Sequence, residues 1–179
     1  MPKNILILSG SPRKNGSTDL LVKAFCEGAA EAGHHIIVHR VADMNINGCL
    51  GCKYCSKKIG ECAQKDDMTP VYDEIRAADV VVFASPIYCA SISGQLKLAL
   101  DRTFVFYWEG IAGKESVLLL TCGEKFIEMA DTTIAMFHHT LSDKSWTEAS
   151  ILVVTGLDEP EEIMGRPELD KARNLGRNI

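Results

Sequence analysis

Ser9-Gly10-Ser11-Pro12-Arg13-Lys14-Asn15-Gly16-Ser17-Thr18 is the stretch whose reading decides the fold of this 179-residue chain. Before it, Ile5-Leu6-Ile7-Leu8 is a short apolar run without helical period, which predicts a fully buried strand. After it, Asp19-Leu20-Leu21-Val22-Lys23-Ala24-Phe25 switches to helical spacing, with an acid in the first turn. A loop rich in hydroxyls and glycine between a strand and a helix N-terminus suits an anion. The first N–H groups of the helix lack intrahelical acceptors, the helix dipole adds partial positive charge, and Ser or Thr hydroxyls can donate as well. The stretch therefore reads as a phosphate cradle. It is not a Walker A loop, because Gly16 follows Gly10 by six positions and precedes Ser17 rather than Lys. The same two glycines are too far apart for a dinucleotide fingerprint. A solvated turn with Ser17 as N-cap is the plainer alternative. Position favours the cradle, since ligands gather at strand-to-helix turns of an α/β sheet.

Further strands are expected over Ile36–Val41, Val80–Ala84, Val117–Leu120 and Ile151–Val154. Helices are expected from the loop to about Gly33, from a Thr69-Pro70 start to Ala78, and around Leu96, Leu100, Thr103 and Phe104. Two more follow, through Ile127, Ala130, Ile134, Phe137 and Leu141, and from Pro167 to Gly176. The alternation implies one α/β domain over residues 1–179: a five-stranded parallel sheet, order 2-1-3-4-5, with helices on both faces in a flavodoxin-like three-layer sandwich. Its switch point, between strands 1 and 3, is where a flavin mononucleotide would bind. Ser85 to Gly94 is expected to be a second loop at the carboxyl edge.

Net charge is −5 and the pI near 5.5, so no nucleic-acid surface is expected. There is no signal-peptide pattern or membrane-length apolar run, which points to a soluble, cytoplasmic protein without a membrane partner. Seven cysteines in such a chain suggest metal or redox chemistry rather than a disulfide framework. Cys26 reads as a small core residue. The pairs His34-His35 and His138-His139 have no partner at metal spacing and read as surface features. Phe104 to Trp108 is an aromatic run that suggests a subunit contact.

An insertion from about Ala42 to Thr69 carries Cys49-x2-Cys52-x2-Cys55-x6-Cys62. Four thiolates in so short a span can wrap one compact metal centre. Three at successive x2 spacing look more like the ferredoxin run than the paired knuckles of a zinc site. A [4Fe–4S] cluster, a four-thiolate zinc site and metal-free thiols or a disulfide all remain open at this point. Lys53, Lys57 and Lys58 could offset cluster charge or form a solvated face.

Together with Asp66-Asp67-Met68, Ser85-Pro86-Ile87-Tyr88 and Gly94-Gln95-Leu96-Lys97 to Asp101-Arg102, these motifs resemble the NADPH-dependent FMN reductase branch of the flavodoxin-like superfamily, and within it the iron–sulfur flavoproteins. The resemblance covers nearly the whole chain. It implies that Ser9, Ser11, Arg13, Asn15, Ser17 and Thr18 hold the FMN phosphate. It also implies that Pro86, Ile87, Tyr88, Ser91 and Gly94 form the wall and floor of the flavin slot, with Cys122 and Gly123 near the ring's other side. Cys89 stands where many relatives carry an aromatic residue. Lys97, Asp101 and Arg102 read as helix-surface ion pairs. The implied activity is an FMN-dependent oxidoreductase that relays electrons between a [4Fe–4S] cluster on the four cysteines and FMN. The alternative is a cluster-free NAD(P)H-dependent FMN or quinone reductase. Implied partners are NAD(P)H or a ferredoxin-like donor, a small-molecule or protein acceptor, and further copies of the chain in a homodimer or homotetramer. A non-enzymatic flavodoxin-like carrier and a zinc-holding structural module are the readings from other classes.

Overall fold

The run Ile5 to Leu8 does form a buried strand, and its side chains divide between two cores. Ile5 and Ile7 face one side of the sheet, Leu6 and Leu8 the other, the period of two that a strand imposes. A computed structural model describes residues 1–179. The strands are β1 (Asn4–Ser9), β2 (His35–Arg40), β3 (Val80–Tyr88), β4 (Ser91–Ile92), β5 (Glu115–Thr121) and β6 (Thr147–Val154). The helices are α1 (Ser17–Glu31), α2 (Tyr54–Lys57), α3 (Met68–Ala77), α4 (Gly94–Arg102), α5 (Val105–Glu109), α6 (Asp131–Lys144) and α7 (Pro167–Asn178).

Five strands are parallel in the order β2-β1-β3-β5-β6, which is the expected 2-1-3-4-5 topology. The sheet has a sixth strand, because the short β4 pairs antiparallel with the end of β3. The expected loop over Ser85–Gly94 is therefore mostly strand and hairpin. Tyr88 pairs with Ser91, and the connecting Cys89 and Ala90 both have positive φ, at 49° and 59°. That is what a two-residue type I′ turn requires, and neither residue is the usual Gly or Asn, so sequence gave no turn signal here. The Thr132 hydroxyl donates to the Ala90 carbonyl and holds the turn from the start of α6.

Leu6, Leu8, Val81, Phe83, Leu118 and Leu120 pack under α3, α4 and α6. Ile5, Ile7, Val80, Val82, Val117 and Leu119 pack under α1 and α7. Alpha-helices α1 and α7 cross at backbone contact. A methyl group on Gly28 would lie 1.8 Å from the Arg173 carbonyl oxygen, and one on Gly176 would lie 2.1 Å from that of Phe25. Only glycine admits that approach.

Several expected details differ. Helix α3 starts at Met68 with Asp67 as the preceding cap residue, so Thr69-Pro70 lies inside its first turn, where Pro is tolerated. Gly16, not Ser17, precedes α1, and no side chain caps it. Phe104 and Ile127 point to solvent: each follows or precedes its main helix in a short irregular turn that rotates it off the buried face. The Cys26 thiol is half-buried against the α1–α7 core, and burial pushes its pKa up to about 11. It is therefore an inert thiol near neutrality. No helix is long and apolar enough to cross a membrane.

Candidate functional site

Two loops are locked together at the carboxyl ends of β1 and β3. The Gly10 N–H donates to the Ala84 carbonyl at 2.8 Å, and the Ser93 hydroxyl donates to the Gly10 carbonyl at 2.7 Å. Ser93 also caps α4, accepting from the Leu96 N–H at 3.3 Å, while its own N–H donates to Ser85 Oγ at 2.8 Å. On the far side, Arg40 at the end of β2 donates to the Ser11 carbonyl at 3.2 Å and pairs with Asp19 in the first turn of α1. The loop is thus fixed from both neighbouring strands before any ligand arrives.

The N–H groups of Ser17, Thr18 and Asp19 find no acceptor in the protein. Arg13 makes no ion pair, although Lys14 beside it pairs with Asp43 at 3.3 Å. Ser9 Oγ is buried without a hydrogen-bond partner. Donors without acceptors at a helix N-terminus fit an anionic phosphate. Arg13, Ser17 and Thr18 open on a cleft of about 400 Å³, a volume suited to a bound small molecule.

Of the sequence-expected residues, Ser11, Arg13, Ser17, Thr18, Pro86, Ile87, Tyr88, Cys122 and Gly123 all line this one cleft. The other four do not. Ser9 is buried in the sheet behind the loop, and Asn15 is a solvent-facing turn residue with φ 58° whose N–H donates to Asp19. Ser91 lies on β4 across the hairpin, and Gly94 opens α4 on the outer side. Cys89 and Ala90, the left-handed pair at the hairpin tip, do reach the cleft. Sequence reading missed Thr121, Glu124, Met129, Leu157, Asp158 and Pro160, which complete the wall. Thr121 Oγ1 lies 2.7 Å from Thr18 Oγ1 in a buried hydroxyl pair. The Asp158 side chain closes over Gly123, where a Cβ would sit 2.7 Å from its Oδ1 and displace it. Leu157 and Asp158 follow β6, and the rule that ligands sit beyond the carboxyl ends of parallel strands could have found them.

All four cysteines of the insertion line a second cavity, of about 230 Å³, closed from below by Asp101, Arg102, Phe104 and Val105. Cys49 and Cys52 are exposed, Cys55 and Cys62 partly buried. Burial pushes the Cys55 thiol up, and the nearby Cys49, Cys62 and Cys52 push it the same way. Gathered around one space, these thiols have the donor chemistry of an iron–sulfur or zinc site. No three of them stand together at metal-ligating distance, and neither do any histidines. Gly51 and Lys53 adopt left-handed backbone, with φ 62° and 56°, to turn the chain from Cys49 into α2. The Gly51 N–H donates to Cys49 Sγ at 3.5 Å. Lys53, Lys57 and Lys58 are solvated and unpaired.

The expected surface pairs on α4 are only half right. Lys97 and Asp101 form an exposed pair at 2.6 Å. Arg102 instead turns inward, its side chain 1% exposed, and binds Asp66 through two hydrogen bonds of 2.6 and 3.0 Å. The spacing that suggested a helical ion pair could not show that the guanidinium meets a residue 36 positions away. Burial pushes the Asp66 carboxyl up, but Arg102 and the N–H groups of Asn47 and Met68 overcome it and hold the group below the usual carboxylate range.

Residues 3–143 match the family described as NADPH-dependent FMN reductase. An iron-sulfur flavoprotein of Archaeoglobus fulgidus is 34% identical over 174 residues, 95% of this chain and 76% of its own length. Another, of Methanocaldococcus jannaschii, is 40% identical over 95 residues, 53% of this chain and 48% of that one. Several such matches span about half the length of the relatives concerned. Among solved structures, an NAD(P)H:quinone oxidoreductase of Methanothermobacter marburgensis superposes with TM-score 0.79 and 21% identity, over 99% of this chain and 96% of that one. That likeness is one of fold.

Proposed function

Because the chain belongs to the NADPH-dependent FMN reductase family, we propose that this FMN-dependent oxidoreductase holds FMN in the cleft, carries a [4Fe–4S] cluster on Cys49, Cys52, Cys55 and Cys62, and relays electrons between the two. The observation that carries the flavin site is the set of donors without acceptors: the free N–H groups of Ser17 and Thr18 at the start of α1 and the unpaired Arg13, all at one cleft. When bound, FMN supplies redox chemistry at its ring nitrogen and the cluster supplies electrons one at a time.

The residues divide the remaining work. Arg13, the hydroxyls of Ser11, Ser17 and Thr18, and the α1 N–H groups bind the phosphate and neutralise its charge. Pro86, Ile87 and Tyr88, held straight by their place in β3, offer a flat wall with backbone groups for the polar edge of the ring. Cys122 and Gly123 close the opposite side. Ser9 and Asn15 act on the loop's shape, and Ser91 and Gly94 on the hairpin, rather than on the ligand. For the cluster, the fit rests on the four thiols around one cavity and on the likeness to iron-sulfur flavoproteins across 95% of the chain.

A second reading, a cluster-free reductase taking hydride from NAD(P)H, is favoured by one observation: the thiols are gathered but not in ligating contact. Anaerobic stopped-flow separates the two. The relay predicts fast bleaching of both flavin and cluster absorbance by a reduced ferredoxin and slow reduction by NADPH. Fast reduction of flavin by NADPH alone, with no cluster absorbance, contradicts it. The exposed trio Phe104, Tyr107 and Trp108, with Phe104 stacked on Tyr107 at 5.3 Å, would be covered in the proposed homodimer or homotetramer.

A further inference from the structure

The cysteine segment leaves and re-enters the domain through a narrow neck. Gln64 Nε2 donates to the Gly48 carbonyl at 2.9 Å, the Asn47 N–H donates to Asp66 at 3.1 Å, and the Asn45 N–H donates to Asp67 at 2.7 Å. Arg102 sits inside that neck and spends all of its hydrogen-bonding capacity there. Nε donates to the Tyr72 hydroxyl at 3.2 Å, and Nη1 donates to the Asn47 carbonyl at 2.9 Å as well as to Asp66. Nη2 donates to Asp66 and, at 3.5 Å, to the Gln64 carbonyl. An arginine has five N–H donors in a rigid fork, and here each has an acceptor. The Asn47 carbonyl lies on the chain entering the segment, and the Gln64 carbonyl and Asp66 on the chain leaving it, so a single side chain staples both. Lysine, a point charge on a flexible stem, cannot span them.

The same side chain forms part of the floor of the cysteine cavity. Cys62 and Arg102 line that cavity together. A separate anchor sits at Gly60, whose carbonyl accepts from Arg76 Nη2 at 2.6 Å. Gly60 also takes left-handed backbone, with φ 77°, and a Cβ there would crowd Glu109 Oε2 at 2.7 Å.

We propose that Arg102 is the positioning residue of the cysteine segment, holding its neck closed and Cys62 facing the other three thiols whether or not a metal is bound. Its role rests on the reading above that the four thiols share one ligand. Asp66 completes the device by fixing the guanidinium plane. The segment is then pre-ordered by the protein, and ligand capture does not have to close a loop of fourteen residues from Cys49 to Cys62.

The test compares the full-length chain with Arg102→Lys, Arg102→Met and the double variant Asp66→Leu/Arg102→Met. Each is stripped of metal with a chelator under anaerobic conditions, and alkylation of every cysteine by iodoacetamide is followed by peptide mass. In the unsubstituted chain Cys62 reacts more slowly than the exposed Cys49. Arg102→Lys and Arg102→Met speed its reaction about tenfold or more, the signature of a segment that opens locally. Cys26 stays slow throughout and reports an intact core. The double variant removes both buried charges, so it can regain the unfolding midpoint, and a residue that mattered only for stability would then regain Cys62 protection too. Loss of protection at a restored midpoint supports positioning. Equal reactivity of Cys62 and Cys49 in the unsubstituted chain, or full protection in the double variant, overturns it. Absence of iron and sulfide from the protein as purified sinks the cluster reading alone, because alkylation is read on the metal-free chain.

Discussion

Ser93 and Gly10 are joined at 2.7 Å, hydroxyl to carbonyl, and a methyl group on Gly10 would lie 2.5 Å from that same hydroxyl oxygen. The contact ties the phosphate loop to the start of α4, so the geometry of the cleft depends on a residue that lines none of it. Gly10→Ala also meets Leu96 Cβ at 2.5 Å. Overpacking of this kind costs about 1–3 kcal/mol. We expect a lower urea midpoint and weakened FMN binding by fluorescence titration. An unchanged affinity would show that the loop tolerates being pushed off Ser93.

Arg13 makes no ion pair in the protein, so its removal should leave the FMN-free fold untouched. Its worth appears only with the ligand. A hydrogen bond to a charged group contributes about 1.5–3 kcal/mol, so Arg13→Ala should weaken FMN binding by about ten- to a hundredfold. Equilibrium dialysis of FMN checks this, with riboflavin as the control that lacks the phosphate and should lose nothing.

Asp66 and Arg102 predict a pH signature. The folded Asp66 carboxyl lies below its ordinary range. Its contribution to stability is therefore fully present above the unfolded value, near 4 for aspartate, and is lost as pH falls through the lower folded value. Asp66→Asn leaves the buried Arg102 without its counter-charge, which costs about 3–5 kcal/mol. Urea unfolding should show the full gap between the two proteins near neutrality and a narrowing gap below about pH 4. A gap constant down to pH 2 would mean the pair is not ionised as described.

Gly28 and Gly176 hold α1 and α7 at backbone contact, and α7 lies beyond residues 3–143 of the family match. Gly176→Ala must push the helices apart and should destabilise by about 1–3 kcal/mol through overpacking. Differential scanning calorimetry gives the loss in Tm. The cysteine segment sits on the opposite face of the sheet, so its alkylation pattern should not change.

The sheet was legible because each strand is an apolar run with a loop or helix signal at its end: Ile5 to Leu8 and Val80 to Ala84 needed nothing more. The strand order followed from the alternation of strands and helices and from the resemblance. The hairpin was not legible, because Cys89 and Ala90 take left-handed backbone without being turn formers, and α6 holds them there through Thr132. Within the site, the residues of the quoted motifs and Cys122 and Gly123 after β5 were found, while Glu124 and those on the loop after β6 were not, since Glu124 and Asp158 carry no local pattern. Arg102 was misplaced for a related reason. Its partner Asp66 is distant in sequence, and only the fold shows that the insertion returns to it.

The most direct test of the central claim is the content of FMN, iron and acid-labile sulfide per chain in protein purified without oxygen. The account predicts one FMN, with iron and sulfide at about four each for a single [4Fe–4S] cluster. FMN with neither iron nor sulfide would contradict the relay and leave a thiol-bearing FMN reductase. The absence of FMN as well would contradict the reading of the cleft itself.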